Sequence, residues 1–283
     1  MTSAVDEKSA EFGQYALSPW QQRLLILSQT RHPGWLGRRL ALVLRRMVLK
    51  GRSLPIDAST EGFRMRVHVT DNVSERKFLF MPQLCDVAER DHLAGHLTPD
   101  GVFLDIGANA GIYTLSAARA YAGQTGHGKV VAVEANPVMQ ARLLYNVALN
   151  DLQNRVQLAP VALSDRTGEV EFSISNSNLG ESGLITTGGN SIRVPCQTLY
   201  NLLQQEGIAS GIDGMKIDVE GMEDVILMPF FQQAPRALFP GFIIIENSFN
   251  RWKNDLFGLL HEVGYRQVSQ RKMNVILALE RDA

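Results

Sequence analysis

Asp105, Glu134, Asp218 and Glu246 each end an expected strand, and Lys216 and Glu220 flank Asp218 at two-residue spacing. Carboxylates delivered to one rim could hold hydroxyl groups, face a cation, or take a proton from an acceptor. The stretch beginning at Val102-Phe103-Leu104-Asp105-Ile106 narrows the ligand. It continues Gly107-Ala108-Asn109-Ala110-Gly111 and runs at once into a helical pattern, Ile112-Tyr113-Thr114-Leu115. A dinucleotide fingerprint would read G-x-G-x-x-G and place its acid about 20 residues beyond. A phosphate loop would carry a Lys followed by Ser or Thr. Here the glycines are spaced Gly107-x-x-x-Gly111, the acid precedes them, and no Lys or Arg occurs from Asp105 through Ala118. An acid without a cation suits a positively charged ligand better than a pyrophosphate. S-adenosylmethionine is such a ligand, a sulfonium whose carboxylate can cap a helix N-terminus.

These residues need strands to carry them. Lys129-Val130-Val131-Ala132-Val133 reads as a buried strand ending at Glu134, where an acid can accept from both hydroxyls of a ribose. Asn136 then reads as an N-cap with Pro137 as the first helical residue. Met215-Lys216-Ile217 delivers Asp218 to its carboxyl end, and Lys216 and Glu220 share the face of Asp218 if the chain stays extended. Phe242-Ile243-Ile244-Ile245 is fully apolar and ends in Glu246-Asn247. Open α/β sheets bind ligands at the carboxyl ends of their strands, so the four acids are expected to converge there.

The remaining elements follow from periodicity. Phe63 to Val69 alternates with period two, and Lys77-Phe78-Leu79-Phe80 is expected to return beside it across an Asp71-Asn72 turn. A helix is expected from about Asp86 to His96. His92 and His96 lie one turn apart, which is metal-ligand spacing, but without H-E-x-x-H a solvated face is the better reading. Helices are expected over 137–149 and 252–263, and strands over 156–159 and 168–174. A loop at 162–165 is expected beside the adenine, a polar connector or lid at 176–183, and a hairpin at 265–277.

Residues 1 to about 18 are polar and small, and are expected to fray. From Phe12 to Ile56 there are eight bases and no acid. Over Trp35 to Lys50 the pairs Arg38/Arg39 and Arg45/Arg46 share a face, with Leu36, Leu40, Val43, Leu44 and Met47 opposite. Such a basic amphipathic helix could dock on anionic membrane, nucleic acid or a second subunit. The plainer reading packs it over its own domain with the basic face solvated.

Bulk properties add bounds. Hydrophobic residues at 45% and charged residues at 20% are ordinary globular values, and a net charge of −1 gives no global pull toward nucleic acid. Cys85 and Cys196 are too few for a disulfide framework. No apolar run reaches the length of a transmembrane segment, and Met1 to Glu7 lacks a signal-peptide pattern, so a cytoplasmic protein is expected.

Taken together, Leu104 to Gly111, Val133-Glu134-Ala135-Asn136-Pro137, Ala162-Leu163-Ser164-Asp165 and Lys216-Ile217-Asp218-Val219-Glu220-Gly221-Met222-Glu223 resemble the FkbM family of S-adenosylmethionine-dependent methyltransferases. The resemblance begins at about Gly62. It implies a methyltransferase domain over 61–283 behind an N-terminal helical extension over 1–60. It further implies an α/β fold with a seven-stranded, mostly parallel, Rossmann-like class I sheet and one reversed strand near the C-terminus. The implied reaction is O-methylation of a sugar or natural-product hydroxyl, with a small-molecule or glycan acceptor. Carried over by position, Gly107, Asn109 and Gly111 hold the methionine part, Glu134 takes the ribose, and Ala162 and Leu163 contact the adenine through backbone, with Asp105 also counted among the cofactor-binding residues. Two departures stand out: Asp86 replaces a Glu, and Tyr200-Asn201 replaces a pair of acids.

On this reading Asp218 is the candidate base or acceptor-orienting group, tuned by Glu220 and Lys216, with Glu246 beside it. Asp218, Glu246 and Asn247 are also hard oxygen ligands that could take Mg²⁺, as in cation-dependent O-methyltransferases. Carboxylate base catalysis is preferred, because Lys216 can neutralise Asp218. A nucleotide-dependent oxidoreductase is disfavoured by the glycine spacing. A nucleic-acid methyltransferase or binder using the basic helix is disfavoured by the lack of an N/D-P-P-Y/W motif.

Overall fold

The computed structural model describes residues 10–30, 34–174, 179, 190–271 and 273–280. The expected polar lid at 176–183, Leu179 aside, and the start of the chain at 1–9 lie outside them. The chain forms two compact units, Met1–Val87 with Ala148–Asn150, and Ala88–Val147 with Asp151–Ala283.

In the first unit, helices α1 (Pro19–Thr30) and α2 (Trp35–Leu49) pack together, and strands β1 (Ile56–Thr60) and β2 (Phe63–Val67) form an antiparallel hairpin. Residues 10–18 are not frayed. Asp57 accepts from Gly13 N and Tyr15 N at 2.8 and 3.2 Å, and is gripped bidentately by the buried Arg66. Lys77 to Phe80 is not the partner of β2 but the end of helix α3 (Val73–Phe80). Asn72 caps it, accepting from Glu75 N at 3.1 Å, and Glu75 reaches back to accept from His68 N. An Asn-x-x-Glu start nucleates a helix whose apolar end, Phe78-Leu79-Phe80, is then buried. Asn72→Ala is expected to destabilise this unit by about 1 kcal/mol, read as a shift in the denaturant midpoint. The apolar face expected for α2 is also corrected. Ala41, Leu44 and Val48 are its buried residues, whereas Leu36, Val43 and Met47 face outward.

The second unit starts within α4 (Val87–His96), at Ala88, and its main sheet has seven strands. β3 (Val102–Ile106) leads to α5 (Ile112–Ala122), β4 (Lys129–Val133) to α6 (Pro137–Leu149), and β5 (Val156–Ala159) follows. Asn136 caps α6 as expected, accepting from Val138 N at 3.0 Å. The expected loop at 162–163 is a short strand, β6 (Ala162–Leu163). It pairs with β8 (Asn190–Gln197), which also takes β7 (Gly168–Ile174) into a three-stranded sheet. The chain continues through α7 (Leu199–Gln205), β9 (Ile212–Ile217), α8 (Glu223–Gln233) and β10 (Phe242–Glu246). It ends with α9 (Leu256–Glu262), β11 (Tyr265–Arg271) and β12 (Asn274–Leu279). The last helix starts later than expected. Asp224 accepts from Lys253 N and Asn254 N, which fixes that segment outside the helix, and Asp255 then caps it.

The large sheet has the order β11-β12-β10-β9-β3-β4-β5, with β12 the reversed strand. Val102, Leu104, Ile106, Met215, Ile217, Ile243 and Ile245 belong to one core with Leu199, Ile226, Phe230 and Leu260 of the helices. Because successive side chains alternate between faces, the residues between them, including Asp105 and Lys216, point to the opposite face.

Candidate active site

Strand register lines up the chemistry. Ile245, Ile217, Ile106 and Val133 are matched across β10, β9, β3 and β4. One step further, at the carboxyl edge, the same row reads Glu246, Asp218, Gly107, Glu134. One step back it reads Ile244, Lys216, Asp105, Ala132. The two rows share a face, so Lys216 and Asp105 form a buried polar floor beneath the edge, 3% and 2% exposed.

Asp105 is therefore not at the rim itself. Its carboxylate accepts the Thr114 hydroxyl of α5 and is pushed up to about 6 by burial, an effect that Thr114 and Lys216 oppose. Lys216 Nζ lies 3.2 Å from Asp218 Oδ2 and 5.5 Å from the centre of the Tyr113 ring. Asp218 itself keeps a side chain 43% exposed, so an ion-paired carboxylate stands at the edge with one side open.

The loop between β3 and α5 needs its glycines. Gly107, Asn109 and Gly111 all have positive φ (78°, 53° and 94°). A Cβ at Gly107 would sit 2.0 Å from the Asp218 carbonyl oxygen, so the loop and the end of β9 touch through backbone. Glu134 ties the loop to β4. One carboxylate oxygen accepts from Asn109 N at 2.7 Å and the other from Asn136 N at 2.8 Å. Burial pushes Glu134 up to about 7 despite these bonds.

The expectation that Glu220 shares the face of Asp218 fails, because the chain does not stay extended. Glu220 and Gly221 both take left-handed conformations, φ 59° and 95°, and Glu220 turns to Arg251 at 3.1 Å. Glu223 was not singled out by its chemistry, yet it is fully buried and organises the turn. It accepts from Val219 N, Gly221 N and the Trp252 indole. Its signal was an acid in the first turn of a helix, where the backbone N–H groups are unpaired. Glu246 is half-buried and accepts from the Ser248 hydroxyl at 3.3 Å. Burial first, and then Asp218 and Glu220, push it up to about 7. Asn247 Oδ1 is buried with no hydrogen-bond partner among the described residues.

Ala162 and Leu163 are buried, and Ala162 packs with Ala135, just beyond Glu134. His92 and His96 are not a simple solvated face: their rings stack at 3.9 Å, with Phe242 edge-on to His92 at 5.1 Å. Among the described residues no group of three or more His, Cys, Asp or Glu is arranged to hold a metal ion.

The edge thus offers a cation-free loop at a helix N-terminus, an acid at the tip of β4, and a second acidic group at β9 and β10. That donor set fits S-adenosylmethionine. A sulfonium would find acids on either side, and its carboxylate would find the first turn of α5. The family match agrees with this fit. The family described as Methyltransferase FkbM domain matches residues 105–267. No curated protein matches the sequence. Among solved structures, an FkbM methyltransferase from Methylobacillus flagellatus is 14% identical with a TM-score of 0.42, covering 92% of this chain and 58% of that one. The M. jannaschii tRNA m1G37 methyltransferase is 12% identical, TM-score 0.42, covering 82% and 59%. An O-methyltransferase from Bacillus cereus, in complex with S-adenosylhomocysteine, is 16% identical, TM-score 0.41, covering 69% and 81%. The chain spans less than two thirds of the first two of these proteins. With the family match running over more than half of its length, the chain belongs to the FkbM family of S-adenosylmethionine-dependent methyltransferases.

Proposed function

We propose that the protein methylates a hydroxyl group of a small-molecule or glycan acceptor, with the donor held at β3–β4 and the acceptor at β9–β10. The observation that carries this reading is the single row Glu246, Asp218, Gly107, Glu134 at the carboxyl edge of four adjacent strands. S-adenosylmethionine supplies an activated methyl group on a sulfonium. Gly107, Asn109 and Gly111 hold its amino-acid part against the start of α5. Glu134 takes the ribose on the lone pairs that Asn109 N and Asn136 N leave open, since a carboxylate offers about four acceptor sites. Ala162 and Leu163 close the adenine side.

At the other end of the row, Asp218 is fixed by Lys216 and orients the acceptor hydroxyl. Glu246, half-buried and titrating near neutrality, takes its proton. Glu220 and Arg251 position the turn behind Asp218 rather than touching the reacting atoms. The Lys216 ammonium already places a positive charge at Asp218, which favours carboxylate base catalysis over a Mg²⁺-held acceptor. Activity with EDTA present should therefore equal activity without it; loss restored by Mg²⁺ would assign Asp218, Glu246 and Asn247 as ligands instead.

The donor half can be checked without an acceptor. Glu134→Ala should weaken S-adenosylhomocysteine binding by about 1–3 kcal/mol in calorimetry, since a hydrogen-bonded acid is lost. Undiminished affinity in a folded variant would remove Glu134 from the ribose. The reaction itself is tested by screening glycans and polyketides for S-adenosylhomocysteine release and identifying the product. A methyl ether supports the reading, and an N-methyl product with no methyl ether overturns it.

A further inference from the structure

Helix α2 leaves an apolar stripe facing solvent. Leu36, Val43 and Met47, at spacings of seven and four, lie along one side of the helix and are 74%, 52% and 48% exposed. The residues that α2 buries, Ala41, Leu44 and Val48, lie on a different side, so packing within the unit does not use the stripe. Trp35, 64% exposed, stands at its N-terminal end with the Arg39 guanidinium 4.2 Å over the ring. Arg39 and Arg46, seven apart, flank the stripe on a single side, and both are exposed. The segment from Phe12 to Ile56 holds eight bases and no acid in a chain of net charge −1, so positive charge is concentrated on this segment while the rest of the chain is net acidic.

We propose that α2 is a surface-docking helix that lies flat on an anionic lipid surface, its Leu36-Val43-Met47 stripe in the acyl boundary and its arginines among the headgroups. The helix is about 22 Å long, enough to lie in the interface and too short to span a bilayer. No helix among the described residues is long and apolar enough to cross a membrane. Charge selects this occupant over the others. A second copy docked through the same face would set Arg39 and Arg46 against their own equivalents, with no acid between Phe12 and Ile56 to receive them. A nucleic acid would engage the arginines but leaves an exposed Leu, Val and Met stripe without a role. Anionic lipid is the partner that takes both halves of the helix at once.

The test is co-sedimentation of the full chain with phosphatidylcholine vesicles, with and without phosphatidylserine. Two double variants accompany it, Val43→Ser with Met47→Ser and Arg39→Glu with Arg46→Glu. These residues are exposed, and unchanged circular dichroism and thermal transition certify folding. The expected result is binding to the anionic vesicles only, weakened by salt and lowered about tenfold or more by each pair. Failure of the unmodified chain to sediment with anionic vesicles overturns the proposal, as does equal binding to neutral ones. So does indifference to both double variants. Self-association without lipid that Val43→Ser with Met47→Ser dissolves would assign the face to a second copy. Binding to an oligonucleotide in place of vesicles, lost only on arginine reversal, would assign it to nucleic acid.

Discussion

Gly107→Ala is expected to lower stability by about 2–5 kcal/mol and to abolish measurable S-adenosylhomocysteine binding. A side chain at φ 78° pays the left-handed penalty of about 1–2 kcal/mol. Its Cβ would also lie 2.0 Å from the Asp218 carbonyl oxygen, and backbone cannot rotate away as a side chain would. Overpacking of this kind adds about 1–3 kcal/mol. Either the loop leaves Glu134 or the end of β9 moves, and both disrupt the row at the carboxyl edge. The check pairs thermal unfolding with calorimetry, using Gly95→Ala as control. A Cβ at Gly95 meets nothing within 4 Å, so that change in a helix should be neutral or stabilising by up to about 1 kcal/mol. If Gly107→Ala unfolds and binds like the control, the loop is not held as described.

Glu246→Gln is expected to reduce methyl transfer about 10²–10⁴-fold, the usual contribution of a positioned base, while leaving S-adenosylhomocysteine affinity unchanged. The pH dependence gives the sign. A carboxyl pushed up to about 7 is protonated below that value and cannot accept the acceptor's proton. The kcat/KM of the unmodified protein should therefore fall as pH drops through about 7, tenfold per unit in the limit. In Glu246→Gln the residual rate should lose that limb. A profile that keeps the limb in the variant would place the titrating group elsewhere, with Asp218 the next residue to replace.

Much of the large sheet was legible because its central strands are short apolar runs that stop at an acid. Val130 to Val133 and Phe242 to Ile245 are buried on both faces and need no alternation to be recognised. The FkbM resemblance was readable from Leu104 to Gly111, Val133 to Pro137, Ala162 to Asp165 and Lys216 to Glu223. What escaped was decided by local backbone rather than by hydrophobicity. Lys77-Phe78-Leu79-Phe80 has strand composition, but the cap at Asn72 with Glu75 three residues on commits it to a helix. Counting along an extended chain puts Glu220 on the face of Asp218, but the left-handed backbone of Glu220 and Gly221 turns it to Arg251. The exposed stripe of α2 looked like its core face because composition marks an apolar side without saying which neighbour covers it. Strand β8, and with it the three-stranded sheet that takes Ala162 and Leu163, is not among the elements that periodicity marks.

The edge row has a further consequence for how this chain could be re-engineered. Neighbouring parallel strands lie about 4.8 Å apart, so Glu134 and Glu246, three strands apart, are separated by roughly 14 Å along the edge. With the roles proposed above, that distance works as a fixed gauge: donor and acceptor modules are spaced by hydrogen-bonded backbone rather than by loops. The segments after β9 and β10 could then be exchanged as a cassette for a different acceptor, provided the β3–β4 pairing and Gly107 stay untouched. A chimera carrying foreign segments after Asp218 and Glu246 would be expected to keep its S-adenosylhomocysteine affinity while its choice of acceptor changes.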